Sequence, residues 1–253
     1  MANMTHREDL ALALELADIA DSISLARFRA QDLHVETKPD SSPVTDADRS
    51  VEQALKAKLT EQRPTDALIG EEFGNTDGEA AGPQRTWIID PIDGSLIALA
   101  VDGKVVLSVV SAPALGRRWW AAPEIGAWTR DIDGSERILK VSAIGDLANA
   151  SLSYNNLQLW DQSGKLPELL ELSRKIWRTR AYGDFYSYML LAEGSVDIVT
   201  EHDLKIYDIA ALVPIVELAG GSFSALTGPL TEESSSVLAT NGKLHDLAFE
   251  AFN

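Results

Sequence analysis

Asp90-Pro91-Ile92-Asp93-Gly94 follows directly on the apolar run Trp87-Ile88-Ile89. Such a run reads as a strand that delivers Asp90 at its end, after which Pro91 stops the ladder and the turn brings Asp93 back beside Asp90. Two carboxylates then face one spot. A plain hairpin turn describes the same residues, because apolar runs flank an Asp-Gly pair. Gly70-Glu71-Glu72 repeats the arrangement at the end of Ala67-Leu68-Ile69. Ligand sites in open sheets form beyond the carboxyl ends of strands, so two such strands would bring Glu71 or Glu72 near Asp90 and Asp93. Otherwise the paired glutamates are a solvated loop.

Two further groups have an equally plain alternative. Asp208 precedes Ile209, Ala210, Ala211, Leu212, Ile215 and Val216 and reads as a helix N-cap, a role worth about 1 kcal/mol. Lys38, Thr45 and Asp46 lie in a Pro-flanked loop before a helix and offer a cation, a hydroxyl and a base, or simply a turn and a cap. The four histidines (His6, His34, His202, His245) lack metal-ligand spacing. The acids therefore suggest oxygen-only coordination, which suits Mg²⁺ rather than zinc. Neither a Gly-x-Ser-x-Gly elbow nor a Gly-rich nucleotide loop occurs.

The elements that would position these residues follow from periodicity. Between Leu10 and Phe28, Leu12, Leu16, Ile19 and Ile23 recur at helical spacing. Val51, Leu55 and Leu59 mark a second helix after the cap candidates Thr45 to Asp48. The middle of the chain reads as sheet: Leu96 to Val101 and Lys104 to Val110 flank Asp102-Gly103, a hairpin signal, and strands surround Trp119, Trp128 and Ile138 to Val141. Beyond them, strands at Ser151 to Tyr154, Ile176 to Arg178, Val196 to Thr200, Ser222 to Ala225 and Val237 to Thr240 alternate with helical patterns. Those patterns cover Leu166 to Lys175, Asp184 to Ala192 and Asp208 to Ala219. The class is α/β or α+β.

The chain has 253 residues, 22 Lys plus Arg, 39 Asp plus Glu and a formal net charge of −17. That field repels phosphate backbones and anionic lipid, which argues against nucleic acid and membrane partners. It repels a small phosphate ester too, so an enzyme for such a substrate needs local cations. With no cysteine, there is no disulfide, thiolate metal site or cysteine nucleophile. The polar, acidic N-terminus lacks a signal-peptide core, and the expected location is cytoplasmic. The length fits one compact domain, with room for two lobes.

Taken in order, Gly70-Glu71-Glu72, Trp87-Ile88-Ile89-Asp90-Pro91-Ile92-Asp93-Gly94 and Tyr207-Asp208-Ile209-Ala210-Ala211 resemble the inositol monophosphatase family, from Leu10 to Asn253. The resemblance implies Mg²⁺-dependent phosphomonoesterase activity and a layered α/β/α/β/α sandwich, a single phosphatase domain over residues 1–253 with an N-terminal metal-binding lobe over about 1–145 and a C-terminal substrate lobe over about 146–253. By motif, Glu71, Asp90, Asp93, Asp208 and the Ile92 carbonyl would be metal ligands, with Lys38 and Asp46 supporting the metal water. Arg180-Ala181-Tyr182-Gly183-Asp184, Ala192-Glu193-Gly194, Leu204-Lys205-Ile206-Tyr207-Asp208 and Ser111-Ala112-Pro113-Ala114 with Arg118-Trp119-Trp120 look most like the histidinol-phosphatase subgroup. Asp184 stands where the wider family commonly has a small neutral residue, and an added carboxylate suits an amino-bearing substrate.

One departure concerns Ser95. After Asp93-Gly94 the family usually has a Thr that orients the nucleophilic water, then a connecting segment; here Ser95 runs straight into Leu96-Ile97-Ala98-Leu99. Ser95 either stands in for that Thr or belongs to the next strand. The resemblance thus assigns Glu71, Asp46, Lys38 and Ser95 to catalysis, and Gly94, Ser95, Arg180, Asp184, Glu201 and Asp208 to the substrate. The expected reaction is hydrolysis of L-histidinol phosphate to L-histidinol and phosphate, by a homodimer. Hydrolysis of inositol 1-phosphate or a related sugar phosphate is the alternative, and a catalytically impaired binding protein of the same fold is the remoter one.

Overall fold

A computed structural model describes residues 5–27, 35–37, 43–78, 84–91 and 94–252. The chain divides into two compact units, Met1–Arg137 and Ile138–Asn253.

In the first unit α1 (Thr5–Arg27) is followed by the short antiparallel pair β1 (Val35–Thr37) and β2 (Pro43–Thr45), and then by α2 (Asp46–Gln62). The sheet comprises β3 (Ala67–Gly70), β4 (Gly74–Thr76), β5 (Arg85–Asp90), β6 (Ser95–Val101), β7 (Lys104–Ala112), β8 (Arg117–Ala122), β9 (Gly126–Arg130) and β10 (Glu136–Ile138). Its order is β10-β9-β8-β7-β6-β5-β3-β4. Only β3 and β5 run parallel among the pairs with described register, with Gly70 opposite Ile89.

The helical stripe read from the sequence is buried as expected: Leu12 and Leu16 of α1 and Val51, Leu55 and Leu59 of α2 pack on Trp87, Ile89, Ile97, Leu99 and Val109. Each such side chain contributes about 1.5–3 kcal/mol on leaving water. Polar pins orient the layer. Arg85 bridges Asp9 of α1 (2.8 Å) and Asp66 (3.1 Å), and Trp87 Nε1 donates to Asp66 at 2.9 Å. Arg118 of β8, 4% exposed, reaches Asp21 (2.6 Å) and Asp18 (2.8 Å) of α1. The Asp102-Gly103 hairpin joins β6 to β7 with both residues at positive φ, 51° and 77°, as a two-residue turn of that sequence requires.

The second unit carries β11 (Ser151–Tyr154), α3 (Leu157–Gln162), α4 (Leu166–Ser173), β12 (Arg178–Arg180), α5 (Asp184–Ala192), β13 (Ile198–His202), α6 (Ile206–Ile209), α7 (Leu212–Leu218), β14 (Ser222–Ala225), β15 (Ser236–Thr240) and α8 (His245–Phe249). Its sheet runs β12-β11-β13-β15-β14, with β12, β11 and β13 parallel. Helices α3, α4 and α8 bury Trp160, Leu169, Leu172 and Ala248 with Leu152, Ile198 and Leu238. The pair α5 and α7 pack together against β13, β14 and β15. No helix of the described residues is long and apolar enough to cross a membrane.

Four local expectations are corrected. The strand anticipated over Ile138 to Val141 ends at Ile138, because the Val141 N–H bonds instead to the Ala219 carbonyl (3.0 Å). The one anticipated at Ile176 begins at Arg178, since Trp177 N–H is taken by the Ala150 carbonyl (3.1 Å) and Ile176 joins the core. The strand read from Val196 starts at Ile198, the Val196 N–H closing the turn onto Leu190 (3.2 Å). The helix anticipated over Asp208 to Ala219 is broken into α6 and α7: Pro214, which has no N–H to donate, sits in the first turn of the restarted helix. Helices α3 and α8 and strands β2 and β4 are among the elements absent from the sequence reading.

Candidate functional site

The carboxyl ends of β3 and β5 lie side by side. Because Gly70 pairs with Ile89, Glu71 leaves β3 where Asp90 ends β5. Asp90 is 6% exposed and Glu71 is half-buried. The sheet thus brings these two sequence-predicted carboxylates to one edge, as expected for a crevice beyond parallel strands. The β3–β4 connection, Glu71-Glu72-Phe73, is held from beneath by Glu52 of α2, whose carboxylate accepts the N–H of Glu72 (2.7 Å) and of Phe73 (2.9 Å). Burial is the main cause that raises the Glu52 pKa, and these two backbone donors pull it back. Sequence reasoning passed over Glu52. The available signal was its place in the buried stripe of α2, three residues before Leu55 and seven before Leu59.

Asp93 and the Ile92 carbonyl lie outside the described residues, as does Lys38. Gly94 is half-buried, with φ 126°, a conformation reserved for glycine. Gly94 is followed at once by β6, where Leu96 faces Asp90 and Ser95 faces Ser111. Of the two readings of Ser95, the structure places it in the strand: it is 1% exposed, and its hydroxyl has no hydrogen-bond partner among the described residues. Asp46 opens α2, and its exposed carboxylate is paired with Arg27 of α1 at 2.8 Å.

The second unit assembles its own acidic group. Parallel β12 and β13 end at the same edge of their sheet, and Gly183-Asp184 follows the first while Glu201 lies near the end of the second. Gly183 has φ 81° and Asp184 φ 48°, so a non-glycine residue is held in the left-handed region at the start of α5. Such strain persists only where surrounding structure imposes it. Burial raises the Asp184 pKa. Glu201 is almost wholly buried; Tyr188 Oη donates to its Oε2 at 3.0 Å, and its Oε1 has no hydrogen-bond partner among the described residues. Its pKa is pushed up to about 8, chiefly by desolvation and further by the charges of Asp184 and Asp208.

Asp208 is the third residue of α6 rather than the cap of one long helix, and its Oδ2 accepts the Lys205 N–H at 2.6 Å. Part of the capping alternative therefore holds, while the carboxylate also lies within electrostatic reach of Glu201. Arg180 is exposed at the end of the edge strand β12, its guanidinium donating to the Thr179 carbonyl. Tyr188, missed in the sequence, is fully buried and stacked on Phe223 with ring centroids 5.5 Å apart.

Among the described residues no three His, Cys, Asp or Glu side chains form a ready metal cage. The donors that each unit presents are nevertheless carboxylate oxygens, one of them deeply buried, which is the chemistry that hard divalent ions select. Arg118, Trp119 and Ser111, by contrast, serve packing: Trp119 is fully buried, and Arg118 and Ser111 Oγ both bond Asp21.

The chain is similar to proteins of known kind along nearly its whole length. A histidinol-phosphatase of Streptomyces coelicolor is 46% identical over 256 aligned residues, covering 94% of each chain. One of Mycobacterium tuberculosis is 46% identical over 263, covering 99% of each. The solved structure of an inositol monophosphatase from Zymomonas mobilis superposes with a TM-score of 0.82 at 34% identity, covering 98% of both chains. With the model of the inositol monophosphatase family matching residues 6–253, these likenesses and the paired strand-end acids establish that the chain belongs to that family.

Proposed function

We propose that this protein is a Mg²⁺-dependent phosphomonoesterase that converts L-histidinol phosphate to L-histidinol and phosphate. Family membership and the relatives at 46% identity support the reaction class. The observation that carries the choice of substrate is Glu201, a buried carboxylate with one oxygen unpartnered among the described residues and with Asp184 and Asp208 close enough to raise its pKa. A group of acids of that kind favours a cation. Histidinol phosphate brings an ammonium and an imidazole, whereas inositol phosphate brings only hydroxyls.

In this reading Glu71, Asp90, Asp93, Asp208 and the Ile92 carbonyl hold the metal, an all-oxygen set that fits Mg²⁺. When bound, Mg²⁺ supplies charge against the phosphate oxygens and lowers the pKa of a water for in-line attack. Gly94 lines the phosphate, and Lys38 and Asp46 support the attacking water, Asp46 being steadied by Arg27. Asp184 and Glu201 bind the nitrogen groups by charge-assisted hydrogen bonds. Tyr188 keeps Glu201 Oε2 engaged, so that Oε1 is the oxygen left for the substrate. Arg180 is assigned to the substrate as well. We place the protein in the cytoplasm as a homodimer of single-domain chains, to be checked by light scattering.

The test is phosphate release by the purified full chain from L-histidinol phosphate, inositol 1-phosphate and p-nitrophenyl phosphate, with Mg²⁺ or with EDTA. The expected result is Mg²⁺-dependent turnover with the highest kcat/KM on L-histidinol phosphate. Preference for inositol 1-phosphate would overturn the substrate, and turnover undiminished in EDTA would overturn the metal.

A further inference from the structure

We propose that Glu52 is a positioning residue: its buried carboxylate clamps the Glu71-Glu72-Phe73 turn from below, so that Glu71 is already held in place for Mg²⁺ before the ion arrives. The inference rests on the reading of Glu71 as a metal ligand.

Glu52 is 0% exposed, and both its carboxylate oxygens are committed, Oε2 to the Glu72 N–H and Oε1 to the Phe73 N–H. These are the two amides immediately after Glu71. A chain segment fixed on one side by the β3 ladder, through Gly70 and Ile89, and on the other by two charge-assisted bonds has little freedom to swing its first residue away.

The packing around Gly70 shows that the clamp is built into the fold. A Cβ placed on Gly70 would overlap Glu52 Oε1 and lie 2.6 Å from its Cδ. The φ of Gly70 is not in the left-handed region, so glycine serves there to admit the carboxylate rather than to make a turn. The arrangement is also electrostatically costly, since Glu71 and Glu72 both raise the Glu52 pKa. An acid buried beside two acids gains from a cation bound near them. If the turn needed only a floor, a hydrophobic side chain would avoid that repulsion, but it would leave the Glu72 and Phe73 N–H groups without their carboxylate acceptor.

Loss of a group that orients a metal ligand typically weakens metal binding by roughly ten- to a hundredfold. Isothermal titration of the metal-free full chain with Mg²⁺ tests this directly for the wild type, Glu52→Gln and Leu55→Ala. Leu55 is a wholly buried core residue one turn further along α2, and its truncation costs stability without touching the clamp. The amide of Gln keeps one acceptor but presents N–H₂ to the second backbone donor. The expected outcome is a Mg²⁺ Kd raised roughly tenfold or more in Glu52→Gln and unchanged in Leu55→Ala. Equal Mg²⁺ affinity in wild type and Glu52→Gln overturns the inference alone, as does equal weakening in Leu55→Ala. Failure of the wild type to bind Mg²⁺ overturns the metal reading as well. Hydrogen exchange of the metal-free wild type reads the clamp without any variant. Slow exchange at the Glu72 and Phe73 amides is expected, and fast exchange there would overturn the clamp even if Glu52→Gln failed to fold.

Discussion

Tyr188 and Glu201 form a fully buried pair in which the phenol hydroxyl donates to one carboxylate oxygen at 3.0 Å and leaves the other without a hydrogen-bond partner among the described residues. An acid held so far from water resists ionisation, and its pKa stands at about 8 against an ordinary 4.5. The folded state therefore binds a proton that the unfolded chain gives up. Stability from this group is complete below the unfolded value and is lost as pH rises through the folded one, between about 4.5 and 8. In EDTA, thermal melts of the wild type should fall across that window, while Glu201→Gln, which cannot ionise, should fall less. A parallel decline in both proteins would remove Glu201 as the cause.

The register of β3 against β5 makes a second expectation concrete. Asp90→Asn preserves shape and size at the end of β5 but removes a charge from the edge that Glu71 shares. Circular dichroism should be unchanged, and Mg²⁺-dependent turnover should drop by roughly a hundredfold or more, given what even indirect disturbance of a metal site costs. Half or more of wild-type activity at moderate Mg²⁺ would refute Asp90 as a ligand.

Arg118 tests the packing of the first unit independently of the chemistry. It donates to Asp21 and Asp18 of α1 and to Ser111 Oγ, all from a buried position. Replacing it with Met keeps much of the volume but leaves the Asp21 carboxylate with the Ser111 hydroxyl in place of a cation, and breaking a buried pair in this way costs about 3–5 kcal/mol. Chemical denaturation should show a loss of that size, with kcat/KM of the remaining folded protein near wild type. A loss below about 1 kcal/mol would class the pair with ordinary exposed ion pairs.

Much of this arrangement was legible in the residues. Periodicity located α1, α2 and α5, Asp102-Gly103 located its hairpin, and apolar runs ending in acids located the edge where Glu71 and Asp90 meet. Other features depended on long-range partners that no local window contains. The Val141 N–H chooses Ala219 over a strand neighbour, and Pro214 restarts a helix that hydrophobic spacing alone would run through. Glu52 and Tyr188 were hidden for a related reason. A polar residue inside an apolar stripe shows that something unusual is buried, but the groups it serves lie 20 residues away for Glu52 and 13 for Tyr188.

Asp184 carries the sharpest question of specificity. It occupies the left-handed region at φ 48° directly after Gly183, begins α5, and has its pKa raised by burial. An acid kept in a strained, partly desolvated position is well placed to reward a cationic partner. The charge-assisted hydrogen bond proposed to the substrate's nitrogen is worth about 1.5–3 kcal/mol, so Asp184→Asn should lower kcat/KM for L-histidinol phosphate by roughly ten- to a hundredfold. Because Asn also tolerates the left-handed region, the backbone should survive the change. p-Nitrophenyl phosphate has no amine or imidazole, and its hydrolysis should be nearly unaffected, which makes it the internal control for the metal site. Equal losses on both substrates would show that Asp184 supports the fold of the pocket rather than reading the substrate, and the preference for a cationic ester would then rest on Glu201 alone.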